Sequence, residues 1–184
     1  MTREEAIIFL QEKIQNKNLI KHSLAVEAIM KELAEYFQAD QNQWSLAGLL
    51  HDIDYELTKN DFSQHSLLAE KMLADFNLDK EIIEAIKKHN SYHQLPLETL
   101  MEKALFVTDP VSGLIVAATL VLPSKKIKDL TVENILNRFK EKSFAKGASR
   151  EVINLSENLL GLKLEDLFTL SLKAMQKIDK DLEL

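Results

Sequence analysis

His22, the adjacent pair His51-Asp52, His65, His89 and Asp109 lie far apart in the chain, yet they are imidazoles and carboxylates in the order of a divalent-metal site. The sequence has no cysteine, which excludes disulfides and thiolate sites, so a metal must be held by nitrogen and oxygen. Those ligands suit Mn, Fe, Co, Ni or Zn, one ion or two, and Mg less well because it prefers oxygen alone. A cation held this way lowers the pKa of a bound water and supplies hydroxide near neutral pH. Taken singly, each residue has a plainer reading, an inward histidine in an ordinary hydrogen bond or an aspartate capping a helix. Taken together, they would leave several buried imidazoles without partners, which costs free energy.

The elements that must position these groups read as helices. Glycine and proline are scarce, at 4 and 3, and Leu, Ala, Lys and Glu dominate. Ile7, Leu10 and Ile14 keep a three-to-four spacing, which Val26, Ile29, Met30, Leu33 and Phe37 repeat after His22. The segment Trp44 to Leu50 is apolar almost all round and predicts a buried helix with His51-Asp52 at its end. Ile53 to Ser63, with Asp54, Thr58, Asn60 and Asp61, reads as an active-site loop. His65 lies one step back on the helical face of Leu68, Ala69, Met72, Leu73 and Phe76. Asp79 is a good N-cap for a helix carrying Ile82, Ile86 and His89 on one face. Met101 and Leu105 precede Asp109 at successive turns, and Pro110 predicts a kink or break there. Further helices are expected from about Thr131, Ser149 and Leu164, the second ending at Gly161. The expectation is an all-α, single-domain helical bundle over 1–184, with a metal-site core at about 20–120 and C-terminal helices at about 130–182 completing it. Leu167, Phe168, Leu170, Met175 and Ile178 would close the core, or support a homodimer.

The order His22, His51-Asp52, Asp109 resembles the HD superfamily of metal-dependent phosphohydrolases, over most of the chain from His22 to about Arg150. Two-metal members of that family add histidines between the pair and the last Asp, and His65 and His89 stand in matching positions, sharing Asp52. The resemblance extends to a group of small hydrolases through Ile53-Asp54-Tyr55-Glu56, Asp109-Pro110-Val111-Ser112-Gly113-Leu114 and Lys140 to Gly147. Asp54 stands where many relatives have Gly, and Asn90 where some have a second consecutive His.

The resemblance implies a metal-dependent phosphohydrolase cleaving a phosphate ester or anhydride, of a nucleotide or related small metabolite, with Asp52 and His51 as the catalytic pair. Its alternative is a nucleotide-sensing module of the same fold that does not cleave. Cations that would offset charge on the phosphoryl oxygens are sought among Lys125, Lys126, Lys142, Lys146 and Arg150. Lys142 and Lys146 come first for substrate binding, because Phe144 to Gly147 interrupts a helix and would form a loop over a pocket. His93 is placed at the rim, and Asp54 and Glu56 either orient a ligand or cap the loop. A net charge of −6 argues against nucleic acid or anionic membrane as a whole-surface partner, leaving a small phosphorylated substrate. The N-terminus shows no export signal, and Val111 to Leu122 is too short to span a bilayer and reads as a buried helix, so a cytoplasmic protein is expected.

Overall fold

A computed structural model describes residues 1–184 and contains helices only. In chain order these are α1 (Arg3–Lys13), α2 (Lys17–Tyr36), α3 (Gln41–Leu50), α4 (Tyr55–Thr58), α5 (Leu67–Leu73), α6 (Lys80–Lys88), α7 (Leu100–Leu120), α8 (Val132–Lys140), α9 (Arg150–Ile153), α10 (Ser156–Leu160), α11 (Leu164–Gln176) and α12 (Asp179–Leu182). Their starts follow side-chain chemistry. Asn16, Asp40 and Asp79 accept backbone N–H bonds at the heads of α2, α3 and α6, and Thr2, Thr99 and Thr131 form reciprocal capping boxes with Glu5, Glu102 and Asn134. Gly161 ends α10 in the left-handed conformation at φ 68°.

The long helices α2 and α7 pack against each other at the centre, with α3 on α2, α6 on α7 and α11 across both. Ile29, Met30, Leu33, Leu49, Leu50, Ile86, Val111 and Phe168 are fully buried between them. Leu167, Phe168 and Met175 lie inside this core, with Leu170 and Ile178 partly buried against it. Helix α7 is long and apolar enough to cross a membrane by length and composition alone, which the shorter Val111–Leu122 segment did not suggest. Its buried face instead forms the middle of the bundle.

Two expectations are corrected. Helix α7 runs unbroken through Pro110. Proline removes one helical N–H, depriving the Phe106 carbonyl of its usual donor, but Leu105, Val107, Val111, Leu114 and Ile115 are all fully buried around it. Burying those five side chains outweighs a proline cost of about 3 kcal/mol. His65 does not belong to the helical face that follows it, because α5 starts only at Leu67, after Ser66 at φ 71°.

Close approach of α2 and α3 rests on Gly48. A Cβ there would lie 2.9 Å from the Glu27 Cα, the Glu27 nitrogen and the Val26 carbonyl oxygen, all backbone atoms that cannot step aside. Gly48→Ala is therefore expected to destabilise the fold by about 1–3 kcal/mol through overpacking. A lowered urea midpoint with unchanged slope is the readout, and because the Gly48 carbonyl also holds His51, metal affinity should fall in the same variant.

Candidate metal centre

Each sequence-predicted ligand arrives from a different place. His22 projects from the second turn of α2, His51 and Asp52 stand at the end of α3, and Asp109 comes from the middle of α7. His65 sits in the turn before α5, and His89 caps the end of α6. Their tips nevertheless converge. The His22 Nε2 is 3.2 Å from the His51 Nε2, 3.1 Å from the Asp109 Oδ1 and 3.5 Å from the Asp52 Oδ2, and the His51 Nε2 is 3.5 Å from that same Oδ2. On the other side of the same carboxylate, the Asp52 Oδ1 is 3.3 Å from the His65 Nε2 and 3.5 Å from the His89 Nε2. Asp52 thus offers one oxygen to each half of the cluster.

Every imidazole is turned the same way by its other nitrogen. His51 Nδ1 donates to the Gly48 carbonyl at 2.8 Å and His89 Nδ1 to the Ile86 carbonyl at 2.6 Å. His65 Nδ1 faces the Asp54 Oδ1 at 2.8 Å. His22 Nδ1 lies 2.9 Å from the Ser112 hydroxyl, whose own proton goes to the Asp109 carbonyl, so the serine accepts from the imidazole. With Nδ1 the donor throughout, each Nε2 presents its lone pair to the cluster. Two such lone pairs cannot face each other at 3.2 Å unless a proton or a cation lies between them. The His89 Nε2 is buried with no hydrogen-bond partner at all, an orphan that a metal would satisfy. Nitrogen and carboxylate oxygen from His22, His51 and Asp109, and from His51, Asp52 and His89, come within 4.8 Å of one another. These residues fit a divalent transition metal by donor type, orientation and spacing.

Electrostatics tell the same story for the metal-free cluster. Burial opposes charge on His51, but Asp52 and Asp109 outweigh it and its pKa is raised to about 9. His65 is also raised to about 9, burial again being overcome by Asp52 and Asp54. Burial favours the neutral forms of Asp52 and Asp109, yet the imidazoles around them hold both carboxyls well below the usual carboxylate range. A metal entering this cluster must displace protons.

Asp54 both orients a histidine of the cluster and caps the loop. It is fully buried, its Oδ1 takes the His65 imidazole and its Oδ2 accepts from the Ser66 and Ala69 N–H groups at 2.8 and 2.9 Å. The latter bonds hold Ser66 in its positive-φ conformation and cap α5. Asp54→Ala is expected to free His65 and weaken metal binding on the His65–His89 side by roughly 10- to 100-fold. Isothermal titration should then show the His22–His51–Asp109 side unchanged. Glu56 caps the chain instead, accepting from the Gln15 and Asn16 N–H groups at the head of α2. Asn90 donates to the carbonyls of Phe62 and His65 at 3.3 and 3.1 Å. His93 supports the same turn, its Nε2 lying 2.8 Å from the His65 carbonyl oxygen.

The centre opens into a cleft of about 440 Å³. The loop after α8 does reach it, through Gly147 and Ser149, but the side chains of Lys142 and Lys146 are exposed and are not part of the lining. Arg150 is not a phosphate-facing cation either. Its guanidinium donates to the Ala145 and Ala148 carbonyls at 2.8 Å each and lies over the Phe139 ring, so it clasps that loop shut. Sequence reasoning missed Ser112, Gly48 and the aromatic walls of the cleft. Ser112 was findable: it lies three residues after Asp109, on the same helical face.

Comparison with known proteins bears on the family. The chain is 30% identical over 139 residues to ribonuclease Y of Lawsonia intracellularis, covering 74% of this chain and 26% of that protein. It is 28% identical over 170 residues to ribonuclease Y of Nitratidesulfovibrio vulgaris, covering 91% of this chain and 32% of that one. It is 30% identical over 131 residues to the symmetrical bis(5'-nucleosyl)-tetraphosphatase of Bacillus subtilis, covering 59% and 68%. The chain thus spans about a quarter to a third of the ribonuclease Y proteins it matches. No solved structure matches it. The family described as HD domain matches residues 19–180, which contain every ligand of the cluster, and the chain belongs to that family.

Proposed function

We propose that this protein hydrolyses a phosphate ester or anhydride of a small metabolite, a nucleotide foremost, at a centre of one or two divalent transition metals. The observation that carries the reading is the convergence of uniformly oriented Nε2 atoms on the two oxygens of Asp52, with the His89 Nε2 buried and unpartnered. His22, His51, Asp52 and Asp109 would hold the first ion, and Asp52, His65 and His89 the second. When bound, a divalent cation there supplies charge for a phosphoryl oxygen and acidifies a water at near-neutral pH.

The chain's own groups do the rest. Asp52 and His51 are the central pair, Asp52 because its carboxylate is common to both halves and His51 because its fully buried ring is fixed by Gly48. Ser112 and Asp54 keep His22 and His65 from rotating. The cleft opens directly on these tips, which supports a small phosphorylated molecule as the substrate. Lys142 and Lys146, exposed on the loop that contributes Gly147, would draw an anion toward the mouth by long-range attraction, which salt screens. The relatives named a ribonuclease and a nucleotide tetraphosphatase support phosphoryl chemistry in this family. Elemental analysis of the purified protein, then a phosphate-release screen on aryl phosphate and nucleotides with each transition metal added in turn, tests the reading. Turnover that appears with metal and vanishes with chelator is expected, and a metal-loaded protein that cleaves nothing would refute it.

A further inference from the structure

The cleft walls carry a second message, about what kind of phosphorylated molecule they suit. No lysine or arginine side chain lines the cleft. Sites that read several phosphates rely on such fixed cations, and here the metal centre is the one place where phosphoryl charge can be met. Three aromatic rings line it instead, Tyr55, Phe62 and Phe106, beside Leu19, Pro110 and Val152.

Phe62 is the exposed member. Nearly half of it, 46%, is open to solvent. The rings beside it, Tyr55 and His65, meet it at 82° and 84° with centroids 6.1 Å away, so neither of them stacks parallel on its face. Its backbone is nevertheless anchored: the Asn90 amide that donates to the His65 carbonyl also donates to the Phe62 carbonyl. One residue therefore anchors the backbone beneath both Phe62 and His65. A solitary exposed phenylalanine on a surface means little, but this one lines the cleft and shares an anchor with the metal site.

We propose that Phe62, supported by Tyr55, is a stacking wall for a nucleobase, and that with no lysine or arginine lining the cleft beyond the centre the site selects a nucleoside monophosphate over a nucleoside polyphosphate. This rests on the phosphohydrolase reading above. In the reaction the water oxygen bonds to phosphorus, the bond from phosphorus to the ribose oxygen breaks, and that oxygen departs with a proton from the water. Nucleoside and inorganic phosphate are the products.

The test compares kcat/KM of the metal-loaded protein for AMP, ATP and ribose 5-phosphate, which lacks the base. AMP should exceed ribose 5-phosphate by roughly ten- to a hundredfold, the usual worth of one base stacked on an aromatic ring, and should exceed ATP. Phe62→Ala should bring AMP down toward ribose 5-phosphate mainly through KM, at unaltered metal content, and Phe62→Trp should restore the difference. Equal values for AMP and ribose 5-phosphate, a preference for ATP, or an equal fall for both sugars' phosphates in Phe62→Ala would overturn the proposal. If the loaded protein cleaves none of them, the hydrolase reading fails by itself, and the wall is judged by binding. AMP should then raise the melting temperature more than ribose 5-phosphate does in the parent protein but not in Phe62→Ala; no such difference overturns it.

Discussion

Asp52→Ala should strip the protein of metal on both sides of the cluster and reduce phosphoryl hydrolysis by on the order of a thousandfold or more, the several kcal/mol that a metal contributes to such a step. Of the two carboxylates, only Asp52 reaches both sides, since Asp109 lies near His22 and His51 alone. The Asp52 Oδ2 is 3.5 Å from His22 and His51, and its Oδ1 is 3.3 and 3.5 Å from His65 and His89. Removing it also leaves His51 and His65 without a carboxylate that helps hold their protons, so both should titrate lower. By comparison His89→Ala should spare the His22–His51–Asp109 side, and elemental analysis of the two variants separates the cases. Full metal content in Asp52→Ala would contradict the shared-ligand geometry.

The inward placement of His89 and Asp109 was legible because helix periodicity carries it. His89 falls on the face of Ile82 and Ile86, and Asp109 on that of Met101 and Leu105, so the 3.6-residue repeat alone aims both inward. Capping chemistry was equally local, with Asp79, Thr131 and Ser149 heading helices as expected. What escaped depends on loop conformation and burial, which no residue period reports. The turn at His65 exists because Asp54, far upstream, bonds the backbone of Ser66 and Ala69. The unbroken path of α7 through Pro110 exists because buried neighbours outweigh a local preference. Arg150 looked like a free cation, and only the folded loop brings carbonyls to it. The cleft walls come from Tyr55, Phe62 and Phe106, which share no period and no motif.

Removing the metal should expose a pH dependence whose sign follows from the two raised histidines. Folding lifts the pKa of His51 and of His65 from 6.5 to about 9, so in the metal-free protein their protons stabilise the folded state. That contribution is complete below about pH 6.5 and is lost as pH rises through about 9. Asp52 and Asp109 are shifted the other way; their contribution is present above the ordinary carboxylate range and lost only in acid, so it stays constant across this window. Metal reverses the trend. Because a cation must displace the protons on the Nε2 atoms, its apparent affinity climbs as pH approaches 9, with up to roughly two protons released at lower pH. Calorimetric scans between pH 6 and pH 9 should therefore show the melting temperature falling with pH in chelator, while the increase produced by added Mn or Zn widens. A metal-induced increase of the same size at every pH would mean that protons and cation do not compete for these nitrogens, and the cluster would have to be read as a hydrogen-bonded core instead.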